Sequence, residues 1–484
     1  MKSITTVLAV VICLYSLSCK TRQQFHNIPT SNLRDDSTPI STTKVKISVR
    51  HQATSPAWQV TYKFSEPTDG FVFISNGIPT KRLNFWKVEG ENGDEVTFDS
   101  NGNDGVIGKN GHPFTEFTAS FDLKTEFLEA KDSDYSQRLS DGSVALQTFL
   151  FLSGYQLKNP QNWQFFKVVP TYKFTPAPAE FVTAGLKTSE SEVEFSDSPR
   201  SMGVYVYFGK IKPESRTPLS FTVDPGVSAE VKEMVMSTAA KTFSLYTKQF
   251  GELPFVPSIF VIKNGELSPN SASGNAMWGQ FLVTIFGSGV NIQDFEREII
   301  TNAVTHEMSH FWNALLYQAR WQDNDKKRLF SDISASIYDE WIWEGGAQAL
   351  ALEARLELGL ITKQRYSEIR AKLPADCKDV IKTKRVIDTS AADQTMTWAP
   401  YHCGELTQFL VVDLVRRTKP NYSIFDLWKS IFAASPDKQL DNDVFFAAVR
   451  KDIPGITDEK IDSIKRLLVT PADGLDAALV QASM

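Results

Sequence analysis

The chain has 484 residues, 22% of them charged, with a net charge of −6. That length suggests two or three domains. Charges of both signs are spread along the sequence without a basic block, which excludes the usual electrostatic footprint of a nucleic-acid-binding protein.

The N-terminus reads Met1-Lys2, then an apolar run from Ile4 to Leu17, then Ser18-Cys19. Fourteen residues are too few to span a bilayer as a helix, and the pattern is that of a secretory signal peptide over 1–18. Cys19, following a small residue, resembles the cleavage site of a bacterial lipoprotein, with Ser16 standing where an aliphatic residue is usual. The expectation is a lipid anchor on Cys19 and no transmembrane helix, with 19–43 as a flexible tether rich in Thr, Ser, Asn and Gln. This places the protein at the bacterial cell envelope, in the periplasm or on the outer-membrane surface, with plain secretion as the alternative.

From residue 44 the pattern alternates. Val45, Ile47 and Val49 fall on one side, as do Trp58, Val60, Tyr62 and Phe64. Short strands punctuated by Gly, Asn, Asp and Pro continue to about Val223, which predicts an antiparallel β-sandwich over 44–224. From Pro225 the period becomes helical. Ala229–Gln249 reads as a helix and Phe255–Ile262 as a strand. Asp294–Ala319 places Phe295, Ile299, Ala303, Val304, Met308, Phe311, Leu315 and Leu316 at helical spacings. After Gly404 the chain is mostly helical, over 406–417, 424–434, 443–450 and 458–468.

Inside the 294–319 segment stands His306-Glu307-Met308-Ser309-His310. On a helix, His306 and His310 share a face, so both imidazoles can reach one metal ion. Glu307 is placed to take a proton from water activated by that metal. His is scarce, only 6 in the chain, and buried His and Glu need partners. A catalytic zinc site usually takes three protein ligands. Glu344 in Trp341-Ile342-Trp343-Glu344-Gly345-Gly346 is the best candidate for the third, since apolar neighbours make a lone carboxylate there unusual; Glu340 is its rival. Asn313 and Gln348, three after His310 and four after Glu344, are candidates to orient a ligating His. Cys377 and Cys403 remain once Cys13 leaves with the signal and Cys19 is lipidated. They lie in a compartment that permits disulfides, and two thiol zinc ligands are the rival reading. A disulfide there would brace the segment around Tyr401.

The sequence resembles the gluzincin metallopeptidases of the aminopeptidase N-like superfamily. It is nearest in layout to the glycyl aminopeptidase-type enzymes. The residues that carry the likeness are His306-Glu307-x-x-His310, the following Trp312-Asn313, Glu344-Gly345, Phe250-Gly251-Glu252-Leu253-Pro254-Phe255, and Tyr401-His402-Cys403-Gly404. The last resembles a Tyr-x-Lys-Gly segment, with Cys403 in the lysine position. The resemblance implies an α+β multidomain chain: the β-sandwich, then a thermolysin-like catalytic domain over 225–484 that turns helical from about 405. It further implies one Zn²⁺ held by His306, His310 and Glu344, Glu307 as the proton carrier, and Tyr401 as hydrogen-bond donor to the oxyanion. Aminopeptidase N-type enzymes also carry a Gly-Ala-Met-Glu-Asn strand whose backbone pairs with substrate and whose Glu grips the free amino group. The matching stretch, Gly274-Asn275-Ala276-Met277-Trp278-Gly279, keeps Ala-Met but has Trp278 at the Glu position. Asn275, Ala276, Met277 and Trp278 are therefore candidate substrate-binding residues, while Glu266, Asp332 or Asp339 could replace the missing acid.

The expected activity is hydrolysis of peptide or protein substrates by a zinc metallopeptidase at the cell envelope, an aminopeptidase or an endopeptidase. A surface lipoprotein that keeps the fold and only binds peptides or glycans is the alternative, and a zinc hydrolase of non-peptide substrates a third.

Overall fold

The computed structural model describes residues 42–73, 86–91, 93, 95–98, 105–122, 136–151, 155–157, 167–185, 187–196, 204–264, 270–277, 279–287, 289–319, 333–381 and 398–484. The expected signal segment, Cys19, Glu266, Trp278 and Asp332 lie outside the described residues.

The first half is built from strands. In Thr42–His51, Val45, Ile47 and Val49 are buried while their neighbours turn outward, so the alternation in sequence marks a half-buried strand. It pairs antiparallel with Trp58–Thr68, in a register that sets Val45, Ile47 and Val49 opposite Phe64, Tyr62 and Val60. On its other side it pairs parallel with Lys167–Thr175. Hydrophobic alternation reports which face is buried and says nothing about the direction of the neighbour, so this parallel pair departs from the expected antiparallel sandwich. Among the described residues, three sheets of six, four and five strands contribute to an aromatic core. Tyr62 stacks on Phe117 with centroids 4.6 Å apart, and Trp86 on Phe121 at 4.3 Å.

A second five-stranded sheet runs in the order Glu214–Arg216, Leu219–Val223, Ser258–Lys263, Gln280–Phe286, Ser271–Met277. Its first two strands precede the expected boundary at 224/225; strand character alone does not tell which sheet a strand will join. Leu219–Val223 and Ser258–Lys263 are parallel, so the chain between them must cross over, and it does so as helix α1 (Ala229–Phe250), capped by the Ser228 side chain. The sheet is apolar on both faces. Ile259, Val261, Phe281, Val283 and Ile285 face the helices, whereas Phe260, Ile262 and Leu282 pack with Leu139, Ala145, Tyr205 and Tyr207 of the β part. That double burial explains the unbroken apolar run of Ser258–Lys263. Two polar ties cross the same boundary. Buried Asp224 accepts from the backbone N–H of Ser140 at 3.1 Å and of Lys263 at 3.2 Å. The Gln280 amide accepts from Tyr205 N at 2.6 Å and donates to Tyr205 O at 3.1 Å.

The helices that follow are α2 (Asp294–His310), α3 (Ile333–Glu357), α4 (Lys363–Val380), α5 (Ala399–Arg416), α6 (Ile424–Ala434), α7 (Asn442–Asp452), α8 (Asp458–Val469) and α9 (Leu475–Ser483). The segment expected as one helix to Ala319 is α-helical only to His310. It widens into a π-helix over Phe311–Leu316 and ends in a short strand, Gln318–Ala319, paired with Gln439–Leu440. Helix α4 escaped the periodicity reading because it is largely charged and contains Pro374. Helices α3 and α5 cross at glycines: a Cβ on Gly345 would sit 2.5 Å from Gly404 Cα, and one on Gly404 2.3 Å from Trp341 O. Only a residue without a side chain fits at either place.

Candidate metal centre and active site

Helix α2 begins with a reciprocal cap between Gln293 and Glu296. Buried Glu296 also accepts from Asn270 N at 2.6 Å and Asn270 Nδ2 at 3.1 Å. It thus ties the start of α2 to the residue that opens the strand Ser271–Met277. Three turns further on, His306 and His310 point from one face of α2, their rings edge to face with centroids 4.8 Å apart.

Glu344 arrives from α3. Its Oε2 lies 3.2 Å from His306 Nε2 and 3.3 Å from His310 Nε2, and the two Nε2 atoms are 3.1 Å apart. All three side chains are buried. Zinc bonds of about 2.0–2.2 Å in a tetrahedron set neighbouring donors about 3.3–3.5 Å apart, close to the spacing these atoms already have. The protonation pattern agrees. Asn313 Nδ2 donates to Trp343 O at 2.9 Å, so Asn313 Oδ1, 3.1 Å from His310 Nδ1, accepts that ring's proton. This directs the His310 Nε2 lone pair at the Glu344 carboxylate and at His306 Nε2. Such a convergence of lone pairs is stable only around a proton or a metal cation. Burial disfavours a charged His310, yet the Glu344 carboxylate beside it raises its pKa above the usual value, with help from Glu307 and Asn313. Glu344, although buried, is held well below the ordinary carboxylate range by the two imidazoles. The donor set and its spacing fit zinc. Glu340, the rival ligand, sits one turn earlier on α3 and is not part of this group.

Glu307 is buried beside the triad. Its side chain passes under Gly274 of the strand Ser271–Met277, where a Cβ would come within 2.1 Å of Glu307 Cγ. That strand, carrying Asn275, Ala276 and Met277, is among the described residues the edge of its sheet, paired on one side with Gln280–Phe286. It contains no acidic residue. Tyr401, in the first turn of α5, lays its ring over His306 with centroids 5.7 Å apart and planes 19° apart. Trp398 packs against Tyr401 with ring centroids 5.1 Å apart.

Separate sequence motifs meet in space. Trp312, just after the second His, donates from Nε1 to Gly251 O at 3.1 Å. Phe255 packs on Phe311 and lies 3.6 Å from the Cβ position of Gly279, in the turn beyond the edge strand. Gly345, next to Glu344, and Gly404, three residues after Tyr401, bring α3 and α5 together. Gln348 does not reach a ligating His. It accepts from Asn302 Nδ2 at 3.3 Å, because α2 and α3 run in opposite directions and one turn past Glu344 faces one turn before His306. Cys377 and Cys403 form a disulfide between α4 and α5, so neither thiol is available to a metal. His402 is not part of this donor group, and burial lowers its pKa. The role of α4 beside the site had no sequence signal except its cysteine.

No protein-family model matches the chain, and no curated protein sequence matches it. Solved structures do. An aminopeptidase N family protein from Idiomarina loihiensis is similar over 88% of this chain and 76% of its own, with a TM-score of 0.63 and 13% identity. An M1 zinc metallopeptidase from Deinococcus radiodurans is similar over 89% of this chain and 93% of its own, with a TM-score of 0.49 and 11% identity. The first of these likenesses shows that the chain shares its fold with an aminopeptidase N family protein.

Proposed function

We propose that this chain is a zinc metallopeptidase of the bacterial cell envelope that hydrolyses peptide or protein substrates, with residues 44–224 framing the site and 225–484 carrying the chemistry. The observation that carries the reading is the convergence of a three-donor group, His306, His310 and Glu344, with Glu307 and Tyr401 around it. One zinc ion held by those three donors would supply Lewis acidity.

The remaining work falls to the chain. Glu307 takes a proton from the attacking water and passes it to the leaving nitrogen, so that one water is consumed for each peptide bond broken. The Tyr401 hydroxyl donates to the carbonyl oxygen as negative charge builds there. The edge of Ser271–Met277 that is unpaired among the described residues offers backbone N–H and C=O groups to an extended substrate, adding it as a further strand. With no carboxylate on that strand to grip an ammonium group, supply of a free amino end is not built into it, and both aminopeptidase and endopeptidase activity are compatible with the site. The alternative, a peptide- or glycan-binding lipoprotein, would need neither Glu307 nor Tyr401. Attachment through Cys19 is part of the proposal; no helix among the described residues is long and apolar enough to cross a membrane.

The test is digestion of a mixed peptide pool with free and acetylated N-termini, alongside metal analysis. About one zinc per chain, lost in His306→Ala, is expected. Tyr401→Phe should keep the zinc and lose about 10²–10³-fold in turnover. Zinc-loaded protein that cleaves nothing would leave the binding alternative standing in its place.

A further inference from the structure

Helix α4 runs beside the site without contributing a residue to it, and its anchors are unevenly placed. Near its start, Arg365 is bonded through Nε and Nη2 to Glu298 of α2, at 2.9 and 3.2 Å. The next residue, Tyr366, donates to Glu353 of α3 at 2.7 Å. Its first turns are thus fixed to the two helices that supply the triad. In the middle, Arg370 bonds Asp413 of α5 at 2.7 Å and lies 3.9 Å from the Phe409 ring centroid. At its far end Cys377 is joined covalently to Cys403, both almost wholly buried, with Cα atoms 4.7 Å apart.

Cys403 is two residues beyond Tyr401. On a helix that is a rotation of about 200°, so Tyr401 faces His306 while Cys403 faces the opposite way, into α4. Gly404 completes the arrangement by seating the same turn on Gly345 of α3. A first helical turn has N–H groups without intrahelical partners and is where helices fray. In α5 that turn carries the oxyanion donor, and it is pinned from behind.

We propose that the Cys377–Cys403 disulfide is a positioning device for Tyr401, with α4 as a strap that transfers the location of the metal-binding helices to the first turn of α5. The inference rests on the proposed peptidase function for its kinetic consequence only. Its structural content, a first turn held in place by the disulfide, can be read without activity.

The experiment compares the wild-type chain, Cys377→Ser/Cys403→Ser, Tyr401→Phe and the combination of all three changes. Each is assayed well below its melting temperature and each is checked for zinc. Loss of the disulfide is expected to lower kcat about five- to fifty-fold with KM and zinc content kept, a part of the about 10²–10³-fold that a lost oxyanion donor costs. In the Tyr401→Phe background the same cysteine changes should cost less than about two-fold, because the residue they position is already gone. Amide hydrogen exchange should quicken at 401–405 and stay unchanged in α2 and at 341–350. A buried Ile464→Val change in α8 serves as a control for general destabilisation and should not quicken exchange at 401–405. Wild-type kcat without the disulfide, an equal loss in both backgrounds, or unchanged exchange at 401–405 would each overturn the proposal. Absence of peptidase activity in the wild-type chain would sink the proposed function instead, and leave the exchange result to decide this inference.

Discussion

Gly274 lies directly on the Glu307 side chain: a Cβ there would fall 2.1 Å from Glu307 Cγ and 2.6 Å from its carboxylate carbon. The proposed proton carrier and the strand proposed to receive substrate therefore meet with no room for a methyl group. Gly274→Ala must displace one of them. Turnover is expected to fall at least about ten-fold with zinc content unchanged, since misplacing a catalytic group by an ångström is enough to cost that much or more. Peptide cleavage and metal analysis of the purified variant check it; full activity would mean that strand and carboxylate can separate freely.

Asn313 connects two of the three donor-bearing segments with one side-chain amide, accepting from His310 Nδ1 and donating to the backbone of Trp343, the residue before Glu344. Asn313→Ala should leave the His310 ring without its fixed tautomer and weaken zinc binding by about 10–100-fold. Competition with a chromophoric chelator measures this. An affinity equal to wild type would show that packing alone holds the ring.

Zinc removal has a pH signature. His310 carries a raised pKa in the metal-free chain, while a zinc ligand must be neutral. Near pH 7, loading zinc should release a proton from this histidine. The release should shrink as pH rises past the folded pKa, and affinity should fall as pH drops. Calorimetric titrations in two buffers of different ionisation enthalpy will differ in heat at pH 7 if this holds; identical heats would refute it. Chelation should abolish peptide cleavage at any pH, with recovery on adding zinc back.

Glu405, one turn after Tyr401 on α5, is buried in the helical core, and burial pushes its carboxyl up to about 8 despite Arg355 and Arg370 nearby. A buried acid with a raised pKa keeps its proton in the folded chain where the unfolded chain has lost it. Its contribution is fully present below the ordinary value of 4.5 and is lost as pH rises through about 8. Glu405→Gln removes that loss. The variant should melt close to wild type at pH 4–5 and several degrees above it at pH 9, a gain on the order of a few kcal/mol. Thermal melts across pH check it, and a constant difference between the two proteins at every pH would refute it.

Much of the site was legible in the sequence because it depends on spacing along single helices. His306, Glu307 and His310 are fixed by helical geometry, and Asn313 by its place one turn on. Glu344 stood out as a carboxylate among Trp, Ile and Ala. Other features depend on how elements meet. The opposed directions of α2 and α3 send Gln348 to Asn302 and away from the histidines. The parallel pairing of Thr42–His51 with Lys167–Thr175 joins strands more than a hundred residues apart, and no local pattern encodes it. Helix α4 hides among charges and a proline. Its importance shows only where Cys377 reaches Cys403.

The two-faced sheet has one more consequence. Phe260, Ile262 and Leu282 are covered by Leu139, Ala145, Tyr205 and Tyr207, and the Gln280 amide is bonded to Tyr205. Gln280 also pairs with Met277 at the turn of the edge hairpin. The β part thus covers the face of this sheet that the helices leave open. A chain shortened to begin at 225 would lose the strands Glu214–Arg216 and Leu219–Val223 and bare a greasy back to water, so the half that bears the His-Glu-x-x-His helix is not expected to be prepared alone as a soluble protein.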